Sequence, residues 1–163
     1  MNPTERAAMD LAIQYELSQG RHPVDVSHGA APGFLPSVMA WASARHPQAP
    51  SRPGCDLVSL GTDGVPARII EVKGKNGDRT SVPIVERQRA AMNALGEDWW
   101  LYVALNCGSR PELIIVREPR RLPWHLLTEA AELPAGQYRR VGQEARWGVQ
   151  PSDIRTFGEV ALL

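Results

Sequence analysis

Three charged residues combine the groups that metal-assisted hydrolysis requires. Asp56 opens one predicted strand, and Glu71 and Lys73 lie near the end of the next. Because side chains on a strand alternate between its two faces, Glu71 and Lys73 point to one face and Val72 to the other. A hairpin turning through residues 61–64 (Gly-Thr-Asp-Gly) would bring Asp56 beside them. The sequence therefore predicts two carboxylates and one ammonium group at the end of a sheet.

Such a group suits the hydrolysis of a phosphodiester bond. Two carboxylates can hold Mg²⁺, which prefers oxygen ligands, and the cation polarises the phosphate and lowers the pKa of a bound water. The ammonium group of Lys73 can stabilise the charge that develops on the phosphate, or orient the nucleophile. The alternative is a cross-strand ion pair on a solvated face, which would contribute less than about 1 kcal/mol. The spacing alone leaves both interpretations open.

The hydrophobic pattern predicts the elements that would carry these groups. Apolar residues recur at steps of three and four over residues 3–19, which indicates a helix. The order of helix, strands, helix and strands indicates an α/β (α+β) fold with a small mixed β-sheet flanked by helices. The remaining predictions are strands at 24–26, 56–60, 67–73, 99–105 and 113–116, helices at 37–45 and 83–95, and, near the end, a helix at 124–132, a strand at 138–141 and a turn at 151–154.

Composition and charge indicate one globular domain. The 163 residues include 18 Lys+Arg and 18 Asp+Glu, so the formal net charge is zero, which argues against unspecific coating of DNA. Residues 29–54 hold five of the 14 prolines and are interpreted as an inserted segment, and residues 133–163 as a C-terminal extension. We expect a cytoplasmic protein that does not enter the membrane. The sequence has no apolar stretch of membrane length, no secretory signal pattern, and only two isolated cysteines.

The sequence around the three charged residues resembles a known superfamily. Gly54-Cys55-Asp56-Leu57, followed after a turn by Glu71-Val72-Lys73-Gly74, is similar to the motif of the PD-(D/E)xK restriction-endonuclease-like superfamily. The wider pattern, over roughly residues 4–117, is closest to the protein NO VEIN C-terminal-type domain, which is often appended to helicases and to restriction or defence proteins. The sequence departs from the superfamily pattern where Cys55 replaces the proline before the aspartate, and where residues 29–54 lengthen the connection.

The resemblance implies a restriction-endonuclease-like core and a metal-dependent endodeoxyribonuclease that uses Mg²⁺, with Mn²⁺ as a substitute. By resemblance, Asp56 and Glu71 would be the metal ligands and Lys73 the catalytic lysine. Glu5 matches an acid that such nucleases place near the metal, and Gln88 matches a glutamine in the helix after the core hairpin. From the residues alone, Glu5 could equally be a first-turn helix acid and Gln88 an exposed helix position.

DNA is the expected substrate, and a homodimer or a helicase or defence partner is the expected assembly. The alternative function is a catalytically inactive nuclease-like module that binds nucleic acid or a partner protein. A third possible function is that of a different hydrolase or a structural interaction domain, in which Glu71 and Lys73 are surface residues without a chemical role. Basic residues that flank the site either contact phosphates or form a solvated face. The candidates are Lys75, Arg79, Arg87 and Arg89.

Overall fold

The computed structural model describes residues 1–128 and 144–162. In chain order the elements are α1 (Pro3–Ser18), β1 (His22–Asp25), α2 (Phe34–Arg45), β2 (Leu57–Leu60), β3 (Pro66–Gly74), β4 (Val82–Val85), α3 (Glu86–Leu95), β5 (Trp99–Leu105), β6 (Glu112–Arg117), β7 (His125–Thr128), β8 (Arg146–Val149), α4 (Pro151–Phe157) and β9 (Glu159–Val160), with short 3₁₀ turns at Gly96–Asp98 and Pro119–Arg121.

A six-stranded mixed sheet forms the centre of the molecule, in the order β1-β2-β3-β5-β6-β9. The β2 and β3 strands pair antiparallel, with Leu57 opposite Ile70, so the predicted hairpin is confirmed. The β3 and β5 strands are parallel. A parallel pair needs a crossover connection, which β4 and α3 supply here. The predicted mixed α/β architecture is confirmed.

Side chains of the sheet alternate between two cores. On one face, Ala8 and Ala12 of α1 pack with Ile70 and Tyr102. On the other face, Ile69 belongs to a core that also receives buried residues from α2, α3, β4 and β8. The alternation that places Ile69 and Ile70 in different cores also directs Glu71 and Val72 to opposite faces.

A buried acid fastens α1 to its face of the sheet. The side chain of Glu16 is fully buried and accepts hydrogen bonds from Arg21, Arg68 and Tyr102. Burial alone would raise the pKa of Glu16, but these donors, together with Ser59, more than offset burial and lower the pKa. The C-terminal end of α1 is thereby held against the sheet.

The inserted segment at 29–54 contains α2 and is tied to the rest of the domain at two places. The apolar side of α2 is buried through Val38 and Ala42. At its end, Asp98 accepts a hydrogen bond from Arg45 Nε at 2.9 Å and lies 2.8 Å from His46 Nε2. The segment therefore packs onto the domain rather than linking two units.

Three predictions about element boundaries are wrong. The helix predicted at 83–95 begins only at Glu86, because Val82–Val85 form β4 and pair with β8. The helix predicted at 124–132 is replaced at its start by the strand His125–Thr128. The turn predicted at 151–154 is the first part of a helix, Pro151–Phe157, in which proline occupies the first turn. The strand predicted at 138–141 lies outside the described residues.

The described part of the C-terminal extension belongs to both sheets. The β8 strand is the central strand of a three-stranded antiparallel sheet, in the order β4-β8-β7, and β9 pairs with β6 at the edge of the main sheet. Within residues 1–128 and 144–162, no helix has both the length and the apolar character needed to cross a bilayer.

Candidate active site

The hairpin register brings the two predicted metal carboxylates together. The backbone N–H of Asp56 donates to the carbonyl of Ile70 at 3.0 Å, so Asp56 continues the β2–β3 ladder one residue beyond Leu57. One carboxylate oxygen of Asp56 accepts a hydrogen bond from the N–H of Val72 at 2.9 Å. This bond turns the Asp56 side chain toward β3, where Glu71 lies beside it.

Lys73 and Gln88 converge on the same oxygen of Glu71. The ammonium nitrogen of Lys73 is 2.7 Å from Glu71 Oε1, and the amide of Gln88 donates to that atom. Gln88 is held by the start of α3, because its own Oε1 accepts the N–H of Val85 at 3.0 Å and lies 3.4 Å from Lys73 Nζ. The structure thus brings four of the five predicted catalytic residues into one group.

Burial controls the charge of the two acids. Glu71 is only 2% exposed, and burial raises its pKa to about 7, a rise that Lys73 opposes and Asp56 increases. Burial likewise raises the pKa of Asp56, against the opposing effects of the Val72 N–H and of Lys73. Two neighbouring acids that are both costly to ionise will bind a proton or a cation readily.

The donor set fits a hard divalent cation. Glu71 Oε2 is buried and has no hydrogen-bond partner among the described residues, so this oxygen remains available as a ligand. Within residues 1–128 and 144–162, no group of three or more His, Cys, Asp or Glu side chains could hold a metal. Mg²⁺ is commonly held by one or two carboxylates and keeps several waters. Asp56 and Glu71 fit Mg²⁺.

The acids open into a cavity of about 520 Å³ at the end of the sheet. Glu5 reaches this cavity from the first turn of α1. Its carboxylate also accepts the N–H of Asn2 at 2.8 Å, so Glu5 is a first-turn acid that caps α1, and its catalytic role stays a prediction. Gly74 permits this approach, because a Cβ there would lie 2.5 Å from the carbonyl oxygen of Thr4.

The four basic candidates divide into two pairs. Lys75 lines the cavity next to the acids and donates to the carbonyl of Ser81 at 3.2 Å, and Arg79 lines a neighbouring cavity beside the start of α1. Arg87 instead pairs with Glu144 at 2.9 Å. The guanidinium of Arg89 lies over the ring of Trp147 in the C-terminal extension. Lys75 and Arg79 thus line cavities next to the acids and to α1, whereas Arg87 and Arg89 contact the C-terminal extension.

The cavity also contains residues that the sequence-based set omitted. Ser27 and His28, from the loop after β1, line it opposite the strands. Asp25 fixes this loop, because its Oδ1 accepts hydrogen bonds from the N–H of Ser27 at 2.9 Å and from the Ser27 hydroxyl at 2.6 Å. The local string Val-Asp-Val-Ser-His signals an Asp-anchored turn. Nothing in it fixes which side of the sheet the turn would face.

A family model described as "Protein NO VEIN, C-terminal" matches residues 4–116. The matched region runs from the first turn of α1 into β6 and contains all five residues predicted to be catalytic. No curated protein and no solved structure matches the chain.

Proposed function

Because the chain belongs to the family described as protein NO VEIN, C-terminal, and its matched region carries the acid pair of Asp56 and Glu71, we propose that it is a metal-dependent nuclease that hydrolyses DNA phosphodiester bonds. The observation that carries the proposal is the convergence of a buried carboxylate (Glu71), a half-buried carboxylate (Asp56) and one ammonium group in a single cavity, with Lys73 Nζ 2.7 Å from Glu71. Mg²⁺ is the proposed cofactor.

The burial of the acids favours this proposal over a surface ion pair. In a solvated ion pair both carboxylate oxygens would contact water, whereas Glu71 is 2% exposed and its Oε2 is unpartnered among the described residues. Burying two acids side by side costs stability. Titratable groups perturbed in this way, in a cavity, are typical of functional sites.

Each residue of the group has a distinct part in the proposed reaction. Asp56 and Glu71 would hold the cation, which when bound polarises the scissile phosphate and acidifies a water molecule. The Lys73 ammonium supplies a fixed positive charge where negative charge develops on the phosphate. Gln88 is a positioning residue, since it touches both Glu71 and Lys73. Glu5 faces the same cavity and provides a third carboxylate for orienting water.

The proposal is tested with supercoiled plasmid and with single- and double-stranded oligonucleotides, incubated with Mg²⁺ or Mn²⁺. We expect nicking that requires the metal and is lost in Asp56→Asn and Lys73→Ala. Asp10→Asn is the matched control, because Asp10 is exposed on α1 and does not line the cavity. Circular dichroism verifies that each variant is folded. Cleavage that persists in folded Asp56→Asn would refute the assignment.

One observation favours the non-cleaving alternative. The Oε1 atom of Glu71 already contacts Lys73 and accepts a hydrogen bond from Gln88, so one of the carboxylate oxygens that could bind a cation is occupied by groups of the protein. A nuclease-like module that binds nucleic acid without cutting it would give a salt-sensitive gel shift and no products in either metal. The same incubations therefore separate the two functions.

A further inference from the structure

A second cavity, of about 900 Å³, lies beside the candidate active site. It is bounded by α2, by the chain leading into β2, and by the start of α3. Ser27 lines both cavities. Cys55 lines the second one, and the next residue, Asp56, lines the first. A ligand strand that places a phosphate over Asp56 would therefore reach the second cavity with its adjoining nucleotide.

The walls of this cavity combine apolar and cationic side chains. Leu35, Pro36 and Met39 of α2 supply an apolar wall. The described lining residues also include Arg52 and Arg87 but no acid. Arg87 shares its charge with Glu144, whereas Arg52 is exposed. An apolar wall beside guanidinium groups suits a flat base attached to a phosphate.

The cavity is held open by contacts elsewhere in the fold. Gly54 has a φ of 56° and packs against α3, where a Cβ would meet that of Ala91 at 3.3 Å. The far end of α2 is tied to Asp98 by Arg45 and His46. These attachments fix both walls before any ligand arrives, as preformed ligand sites generally require.

We propose that this second cavity receives an unpaired nucleobase of the strand that is cut, next to the phosphate held over Asp56. The proposal rests on the proposed nuclease function and adds a substrate class to it: DNA whose bases are single-stranded or locally unpaired near the cleaved bond. It also assigns the inserted segment at 29–54 a direct part in substrate recognition, through α2.

The test measures binding of fluorescein-labelled single-stranded DNA of about 12 nucleotides, a length within the usual range for such sites. The Asp56→Asn protein in EDTA is used, so that binding is read without cleavage. A series of oligonucleotides carries one abasic site, moved along the strand. At one position the abasic site is expected to weaken binding about tenfold, the effect of losing one stacked base.

The cavity variant is Met39→Trp, which narrows the cavity with a larger side chain on its α2 wall, and the matched control is Ala40→Trp on the exposed neighbouring position of the same helix. Met39→Trp should bind intact DNA about tenfold more weakly and lose its sensitivity to the abasic site, because the indole takes the place of the base against this wall. Ala40→Trp should stay within about twofold of the parent and keep that sensitivity.

A second variant avoids any change in packing. Arg52→Gln should reduce the slope of log affinity against log salt by about 0.7, the loss of one phosphate contact on a single strand. Arg110→Gln, an exposed arginine that lines a different cavity, should leave the slope unchanged.

The outcomes separate this inference from the proposed function. If wild-type protein cuts DNA with Mg²⁺ but no abasic position affects binding, the assignment of the second cavity to a nucleobase is wrong and the nuclease function stands. If Met39→Trp remains folded and keeps the abasic sensitivity, the cavity assignment is also overturned. If one abasic position weakens binding and wild-type protein does not cut, the cavity stands and the nuclease function fails.

Discussion

Glu71→Gln should make the metal-free protein more stable above neutral pH. Burial raises the pKa of Glu71 from 4.5 to about 7 in the folded protein. That difference corresponds to about 3 kcal/mol of folding free energy, at roughly 1.4 kcal/mol for each pKa unit. Because the folded pKa is raised, this contribution to stability is fully present below pH 4.5 and is lost as the pH rises through about 7.

The variant removes this pH-dependent loss. A glutamine cannot ionise, so the free energy of unfolding should no longer decline between about pH 5 and pH 8 on account of this group. Lys73 loses its partner in the variant, but its side chain is 22% exposed and can hydrate, which limits the opposing cost. The net gain at about pH 8 should reach roughly 2 kcal/mol.

Urea denaturation in EDTA at a series of pH values measures the effect. Adding Mg²⁺ should stabilise the wild type at alkaline pH, because a ligand that binds only the folded state raises its stability by mass action. The same addition should not stabilise Glu71→Gln. Glu159→Gln, on an exposed position of β9, is the control and should follow the wild type in every condition.

Two results would refute this reasoning. If Glu71→Gln and wild type lose stability in parallel as the pH rises, the buried carboxylate does not carry the proposed cost. If Mg²⁺ stabilises both proteins equally, the cation binds elsewhere, and the role of Glu71 as a metal ligand fails with it.

Three further predictions address other parts of the fold and site. Glu16→Gln should lower the free energy of unfolding by about 3–5 kcal/mol, since its buried donors lose their charged acceptor, and an unchanged urea midpoint would contradict this. Gly74→Ala should lower the free energy of unfolding by about 1–3 kcal/mol and reduce cleavage, because the new Cβ, 2.5 Å from the Thr4 carbonyl oxygen, displaces the start of α1. Unaltered activity would contradict the importance of this packing. The two lysines of the chain, Lys73 and Lys75, both line the cavity. After ¹³C-dimethylation of the lysines, the NMR signal of Lys73 should shift most on titration with Mg²⁺, and the Lys75→Arg variant identifies which signal is which. A Lys73 signal that does not shift would contradict the assignment of the metal site.

The central group could be predicted because its geometry is local. Strand alternation places Glu71 and Lys73 on one face, and a four-residue turn sets the register that brings Asp56 alongside. The place of Gln88 in the site could be predicted only from the family resemblance, because no periodicity in α3 indicates that its amide points at β3. The pairing partner of β4 could not be predicted, because β8 lies about sixty residues further on and strand pairing over that distance leaves no local pattern.

The second cavity could not be predicted for a related reason. Prolines mark 29–54 as unusual, yet the ion pair that ties the end of α2 to the domain joins Arg45 to Asp98, which lies more than fifty residues further along the chain. A sequence shows which residues can form an ion pair, but it does not show which of several charged residues will be adjacent after folding.

Residues beyond the family match hold the helix that carries Gln88. The N–H of Glu86 donates to the carbonyl of Ala145 at 3.0 Å, and the Trp147 indole donates to the Glu86 carboxylate at 2.8 Å. The Arg89 guanidinium lies 3.7 Å from the centroid of the Trp147 ring. These contacts hold the first turn of α3 from outside while Gln88 faces Glu71 from inside. The described part of the C-terminal extension therefore supports the site through α3, and the basic residues Arg87 and Arg89 already have partners there that a phosphate chain would have to displace.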